Sequence, residues 1–150
     1  MYQIDIQLIA DKTLAPKKSL LRQWAKIALS QKMASAELGI RIVDIEEMTL
    51  LNATYRKKNK PTNVLSFPFS APQGVTFDQP ILGDIVICAA VVNQEAIEQK
   101  KSVEAHWAHM IVHGIFHLLG YDHETDSEAE VMERLEIQVM EKLGFKNPYR

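Results

Sequence analysis

The sequence predicts a single α+β domain covering residues 1–150, in which one mixed β-sheet of about four strands packs against about five helices. The length of 150 residues and the hydrophobic content of 47% suit one core. Strand and helix patterns alternate early in the chain, whereas helical patterns dominate its last third. No internal repeat or low-complexity stretch indicates a second domain.

The first part of the chain holds two strand patterns and two helix patterns. Residues 2–9 alternate polar and apolar side chains, which is typical of a strand, and residues 10–16 are predicted to form a loop. Gly39 is expected to separate a loop from a strand at residues 40–45, and residues 46–56 have the composition of a short helix. A helix between these strands is predicted to bury one apolar face, made by Leu20, Leu21, Trp24, Ile27 and Ala28.

The second part begins with an extended region and ends in helices. All but two of the prolines lie between Lys60 and Gly83, which restricts that region to loops and to short strands at residues 63–67 and 83–88. Helices are predicted at residues 89–99, 103–119 and 127–143.

The last helix carries its own boundary signals. Thr125 and Glu128 form a candidate capping box before it, and Gly144 suits the position after it. The helix also carries what we interpret as a solvated acidic face, made by Glu128, Glu130, Glu133 and Glu136.

Charge and cysteine content limit the class of protein. The formal net charge of -2 is unlike that of domains that coat nucleic acid, so any such contact must be local. Cys88 is the only cysteine, which excludes an intrachain disulfide and fits a reducing compartment. The first residues resemble neither a signal peptide nor a membrane span. We therefore expect a soluble, cytoplasmic protein with no membrane partner.

Four of the five histidines fall within residues 109–123, "HMIVHGIFHLLGYDH". His113 and His117 are four residues apart and share one helix face, so both imidazoles can reach one ion. His109 is two turns from His117, roughly 12 Å away, too far for both to bind a common ion. Gly120 can instead end the helix in a left-handed conformation and return His123 to the same ion.

This spacing matches the HExxHxxGxxH motif of metzincin peptidases and predicts a zincin-like metal helix. Those peptidases carry a catalytic glutamate directly after the first histidine, where this chain has Gly114. Three neutral imidazoles leave a coordination position open, as in catalytic sites, and they suit zinc but also nickel, copper or iron. His109 packs in the interior, lines the same cleft, or hydrogen-bonds one of the ligating histidines and orients it, and His106 is expected to be structural.

Three motifs together resemble one family. "HGIFHLLGYDH" is similar to the HGxLHLxGYDH signature of the YbeY family of metal-dependent endoribonucleases. "YRKKNKPTNVLSFPF" and "LGDIVI" resemble its two other characteristic blocks, in the same order, so the resemblance spans essentially the whole chain. Phe116 stands where leucine is usual and Asn63 where aspartate is common, and neither is a proposed ligand.

The resemblance implies a single-strand-specific endoribonuclease acting in 16S rRNA 3′-end maturation and in late-stage 70S ribosome quality control. Its partners would be single-stranded RNA, 16S rRNA, the ribosome and ribosomal proteins, with no DNA expected. It implies one Zn²⁺ or other divalent transition metal per chain on His113, His117 and His123. It also implies that Arg56 is catalytic and contacts RNA. The neighbouring Lys57, Lys58 and Lys60 form a basic run that, taken by itself, is typical of a solvated loop. The resemblance implies that these lysines contact the RNA backbone more weakly than Arg56 does.

Several points of mechanism stay open at the level of the sequence. A metal ion could activate water and polarise phosphate while Arg56 stabilises the developing charge, or the RNA 2′-hydroxyl could attack instead. Asp122 or Glu124 could accept the proton, and Asp84 could bond either backbone or substrate. Two other hypotheses compete with this one. The first is a metallopeptidase. The second is a ribosome-assembly protein whose metal is structural, with the fourth coordination position closed by His109 or Asp122.

Overall fold

Four strands form one mixed sheet, as predicted. The computed structural model describes all residues from Met1 to Arg150. The strands are β1 (Tyr2–Leu8), β2 (Ala36–Val43), β3 (Val64–Pro68) and β4 (Ile81–Cys88), arranged in the order β1-β2-β4-β3. β1, β2 and β4 are parallel, and β3 runs antiparallel to β4 at the edge.

Five α-helices accompany the sheet, which confirms the predicted α+β class. They are α1 (Lys18–Ser30), α2 (Ile45–Arg56), α3 (Ala89–Glu98), α4 (Val103–Leu118) and α5 (Asp126–Lys142), and a 3-10 turn covers Lys12–Leu14. None of the helices combines the length and the hydrophobicity that crossing a membrane requires.

The main core lies between one sheet face and helices α1, α4 and α5. The central helix α4 is apolar on nearly every side, so it is enclosed by its neighbours and buries Trp107, Ile111 and Phe116 completely. On α1 the predicted face is largely correct, although Leu20 and Ile27 are only half-buried and Leu29 is fully buried.

The opposite sheet face is covered only in part. α2 packs there over a small cluster formed by Val43, Met48, Leu65, Val86 and Cys88. The remainder, which we call the open face, carries carboxylates that form no ion pair, namely Asp5, Glu37 and Asp84.

The prediction for Gly39 was wrong, since this residue lies inside β2 and not before it. Gly39 pairs with Asp84 of the neighbouring strand, and a Cβ at position 39 would overlap the Asp84 carboxylate. Glycine is needed here because another side chain crosses the strand closely.

The predicted strand at residues 40–45 also ended too late. β2 stops at Val43, because Asp44 caps α2 by accepting a hydrogen bond from the Glu47 backbone N–H at 2.9 Å. The helix-end predictions are confirmed. Gly120 and Gly144 have φ values of 100° and 91°, and Thr125 with Glu128 forms the capping box before α5.

Candidate metal centre

Three histidines converge where α4 ends. His113 and His117 lie one turn apart on α4, and the left-handed Gly120 directs the chain so that His123 returns to them. One ring nitrogen from each histidine lies within 4.8 Å of the other two. The local sequence alone creates this arrangement, since one helix and its terminal turn supply all three side chains.

The donor nitrogens fit a cation. His113 Nε2 and His117 Nε2 face each other at 3.1 Å, close to the roughly 3.4 Å between two nitrogens bound tetrahedrally to one zinc ion. His113 uses its Nδ1–H as a donor to Glu136, so its Nε2 carries a lone pair. In the His117 tautomer that also directs a lone pair to this point, a metal ion would bind both nitrogens; in the other tautomer, His117 Nε2–H donates a hydrogen bond to His113 Nε2.

His117 is suited to metal binding at neutral pH. Burial, together with the neighbouring His113 and His123, lowers the pKa of His117 below its ordinary value, while Asp122 and the Tyr121 backbone act in the opposite direction. A lowered pKa keeps the imidazole neutral, and only the neutral ring can coordinate a metal.

Glu136 lies behind the histidines, and the interpretation of its helix face as solvated was wrong at this residue. Its side chain is 0% exposed, with Oε2 at 3.1 Å from His113 Nδ1 and Oε1 at 2.6 Å from His109 Nε2. Burial alone would raise the pKa of Glu136, but the hydrogen bonds from the two histidines outweigh it and lower the pKa to about 2. The carboxylate is therefore ionised at neutral pH.

Two further side chains hold this carboxylate. The Tyr149 hydroxyl donates to Glu136 Oε1 at 2.6 Å, and burial with the adjacent carboxylate raises the pKa of the tyrosine. His109 is buried against the same oxygen, and its pKa is lowered chiefly by that burial. Because His109 bonds Glu136, it is not part of the three-histidine cluster, and neither is Asp122.

A polar cleft of about 520 Å³ opens onto the three histidines. Arg56, the last residue of α2, lines it together with Ser66 of β3 and the loop residues Tyr121 and Asp122. The structure thus brings Arg56 to the histidines across more than fifty residues of sequence. Three of the predicted contacts are exposed on the adjacent loop but do not line the cleft, namely Lys57, Lys58 and Lys60.

The wall opposite α4 is fixed by polar contacts. Asn63 donates to Glu95 at 3.1 Å and accepts from the Val64 backbone N–H at 2.7 Å, which anchors the start of β3. Glu95 also bonds the buried His106 at 2.9 Å, so His106 is structural, as expected. Ser66 Oγ donates to the Gly114 carbonyl at 3.1 Å and connects β3 directly to α4.

Other candidate residues lie away from the histidines. A Cβ at Gly114 would approach Ile85 Cγ2 to 2.9 Å, so this glycine allows α4 to pack closely on the sheet and its Cβ position is directed away from the cleft. Asp84 lies on the open face, and Glu124 is exposed outside the cleft. Asp122 is the carboxylate that lines the cleft, and its Oδ1 accepts from the His123 backbone N–H at 2.8 Å.

Glu136 and Tyr149 were missed by the sequence reasoning. Glu136 falls within the buried stripe of α5, with Met132 four residues before it and Val139 and Met140 three and four residues after it. A glutamate inside an apolar stripe is rarely buried without a partner, and this was the signal available. No pattern in the sequence singles out Tyr149.

Comparison with known proteins supports the fold and the family that the three motifs indicated. The family model of endoribonuclease YbeY matches residues 6–144. The fold is similar to the solution structure of TM1509 from Thermotoga maritima, a NESGC target protein, at 24% identity and a TM-score of 0.59, covering 95% of this chain and 91% of that chain. This likeness supports the fold, and the family match extends to the activity. The resemblance drawn from the three motifs is confirmed, and the chain belongs to the YbeY family of metal-dependent endoribonucleases.

Proposed function

We propose that the cleft hydrolyses phosphodiester bonds of single-stranded RNA at a Zn²⁺ held by His113, His117 and His123, with Arg56 as the catalytic residue on the phosphate. The observation that carries the proposal is the convergence of three imidazoles and one guanidinium in a single polar cleft. When bound, such an ion polarises a phosphoryl oxygen and lowers the pKa of a coordinated water toward about 7.

The side chains of the cleft have separate roles in this scheme. The planar guanidinium of Arg56 holds two phosphate oxygens at once and stabilises the charge that develops on them. We assign the role of proton acceptor to Asp122, because it is the carboxylate that lines the cleft. Products with a 2′,3′-cyclic phosphate would reveal attack by the RNA 2′-hydroxyl, which always leaves a 5′-hydroxyl on the other fragment. Products with a 5′-phosphate and a 3′-hydroxyl would instead indicate attack by water.

The substrate and the cellular role extend the family assignment. We place Lys57, Lys58 and Lys60 along the path of the RNA backbone, since they are exposed next to Arg56. A cleft of this size accepts a flexible strand more readily than a duplex. Family membership supports action in 16S rRNA 3′-end maturation and late-stage 70S quality control, in the cytoplasm and with ribosomal proteins as partners.

Cleavage of a labelled single-stranded RNA tests the proposal. Wild type, His117→Ala and Arg56→Ala are compared with and without a chelator, and Arg134→Ala removes an exposed arginine on α5 as the matched control. We expect wild type and Arg134→Ala to cut only without chelator, and the other two variants to lose cutting. Equal cleavage by all four proteins would refute the proposal.

A further inference from the structure

A hydrogen-bond chain centred on the buried carboxylate of Glu136 runs from the C-terminal segment to the first histidine of the cluster. Tyr149 donates to Glu136 Oε1 at 2.6 Å, and the other oxygen of Glu136 faces His113 Nδ1 at 3.1 Å. His109 adds a contact of 2.6 Å to Oε1. The carboxylate therefore has three donors: Glu136 and His109 are buried, His113 is half-buried, and Tyr149 closes the network from the exposed C-terminal segment.

The chain determines which nitrogen of His113 carries the proton. A carboxylate surrounded by three donor groups accepts hydrogen bonds from all of them, so the His113 nitrogen that faces Oε2 at 3.1 Å is the protonated Nδ1. The remaining lone pair is then on Nε2, the atom that faces His117. Without such a partner, a neutral histidine distributes its proton between both nitrogens, and a protonated Nε2 cannot bind a metal.

We propose that Glu136 is a positioning residue that fixes the metal-binding tautomer of His113, and that Tyr149 and His109 hold its carboxylate in place. The inference rests on the proposed three-histidine site. It adds a dependence of that site on α5 and on the C-terminal segment, neither of which contributes a ligand.

A second metal site is the competing explanation, because His109, His113 and Glu136 also bring ligand atoms within 4.8 Å of one another. The contacts of 2.6 and 3.1 Å are hydrogen-bond lengths and already satisfy the carboxylate. An ion there would also have to displace the proton on His113 Nδ1. A hydrogen-bonded network accounts for the same atoms without breaking these hydrogen bonds and without removing the proton from His113 Nδ1.

The test combines two readouts that do not depend on RNA cleavage. Nitrogen-15 NMR of the histidine rings reports the tautomer in the metal-free protein, and competition with a chromophoric chelator reports the affinity for Zn²⁺. The variants are Glu136→Gln and Tyr149→Phe. Glu141→Gln, an exposed glutamate on the same helix, is the matched control.

We expect wild type and Glu141→Gln to bind one Zn²⁺ per chain, with His113 protonated on Nδ1. In Glu136→Gln the amide oxygen faces the two donors Tyr149 and His109, so its NH₂ group faces His113 and favours the wrong tautomer. The affinity should fall about 10- to 100-fold, the usual loss when a residue that orients a ligand is changed. Tyr149→Phe should show a smaller loss.

The possible outcomes separate the two proposals. Failure of wild type to bind Zn²⁺, or undiminished binding by His117→Ala, would refute the three-histidine site itself. Unchanged affinity and tautomer in Glu136→Gln, or two ions per wild-type chain, would overturn only the positioning role. If Glu136→Gln does not fold, the wild-type tautomer and the Tyr149→Phe affinity decide the question.

Discussion

Arg56 is the one side chain in the cleft that combines a permanent positive charge with a planar array of donors. It lies at the C-terminal end of α2, where Lys57 adopts a left-handed conformation with φ 57° and ends the helix. In the proposed mechanism both its position and its chemistry matter, because a lysine at the same place would keep the charge but could not form the paired hydrogen bonds to phosphate.

We predict that Arg56→Ala lowers the kcat for cleavage of a short single-stranded RNA by about 10²- to 10³-fold, the usual effect of removing one group that stabilises developing charge. Arg56→Lys should recover only part of this loss. Steady-state kinetics with a labelled oligonucleotide measures both effects, and Arg134→Ala serves as the control. Full activity in Arg56→Lys would show that charge alone is sufficient.

Gly114 illustrates a residue whose role is steric. Gly114→Ala would place a methyl group 2.9 Å from Ile85 Cγ2, in a fully buried contact between α4 and β4. Overpacking of this kind costs about 1–3 kcal/mol, which the better helix propensity of alanine, worth about 1 kcal/mol, offsets in part. We expect the free energy of unfolding to fall by up to about 2 kcal/mol, as measured by urea denaturation.

A double-mutant cycle provides the control for this prediction. Ile85→Ala removes the contacting atoms, so Gly114→Ala should cost less in that background than in wild type. Equal costs in both backgrounds would indicate that the clash at Ile85 is not the cause.

From residue spacing alone, the candidate site was predictable only where its residues are local, and Arg56 was found only through the family resemblance. His113, His117 and His123 follow from helix periodicity and one glycine, so their spacing was sufficient. Glu136 belongs to another helix, and its contact with His113 depends on how α4 and α5 pack. That packing is a tertiary property, and local periodicity shows only that Glu136 lies on the buried side.

At the scale of elements, β3 is connected to the helices through a polar relay. Asn63, at the start of β3, bonds Glu95 on α3, which in turn bonds His106 on α4. Burial acts to raise the pKa of Glu95, but the hydrogen bonds from His106 and Asn63 dominate and lower it below its ordinary value. The ionised form of Glu95 is therefore the form that stabilises the fold.

This relay makes a prediction about acid stability. Because the pKa of Glu95 is lower in the folded state than the value of about 4.3 in an unfolded chain, its contribution is complete above that pH and is lost as the pH falls through the folded value. Glu95→Gln should thus destabilise the protein more at about pH 6 than at about pH 3.5. Urea unfolding at both pH values measures the difference.

Glu98→Gln is the control for the relay, since it removes an exposed carboxylate from the same helix. A destabilisation by Glu95→Gln that is equal at both pH values would show that the carboxylate charge is not what supports β3.

Element boundaries show where sequence patterns fail. The alternation of polar and apolar side chains correctly identified β1, and the glycine and proline content correctly marked the irregular region before β4. The start of β2 was misplaced because glycine was interpreted as a loop signal. At Gly39 the glycine instead accommodates Asp84 from a strand more than forty residues later. The pairing of Gly39 with Asp84 cannot be predicted from any local sequence pattern.

At the scale of the whole molecule, metal binding should stabilise the fold, because the three histidines converge only in the native state. At a free Zn²⁺ concentration 1,000 times the Kd, the gain is about 4.1 kcal/mol. For a chain of this size that corresponds to a rise in Tm of roughly 10 °C. Scanning calorimetry with zinc and with a chelator measures the shift. An equal shift in His117→Ala would place the bound ion elsewhere.

Binding of RNA should depend on salt through the basic run. Four neutralised phosphates predict a slope of about -2.8 for the logarithm of affinity against the logarithm of salt concentration. Replacing Lys57 and Lys58 together by alanine should reduce that slope by about 1.4. The exposed pair Lys17 and Lys18, changed in the same way, is a control of equal charge. Equal slopes for the two double variants would exclude Lys57 and Lys58 as phosphate contacts.

The unpaired carboxylates of the open face have a consequence for the approach of a polyanion. Asp5, Glu37 and Asp84 line the open face, and none of them lines the cleft that Arg56 shares with the histidines. The net charge of -2 therefore conceals an asymmetric electrostatic field. In the proposed function, this field would repel a strand that approaches the open face and favour one that meets the basic loop, so an approaching RNA would be oriented before any hydrogen bond forms.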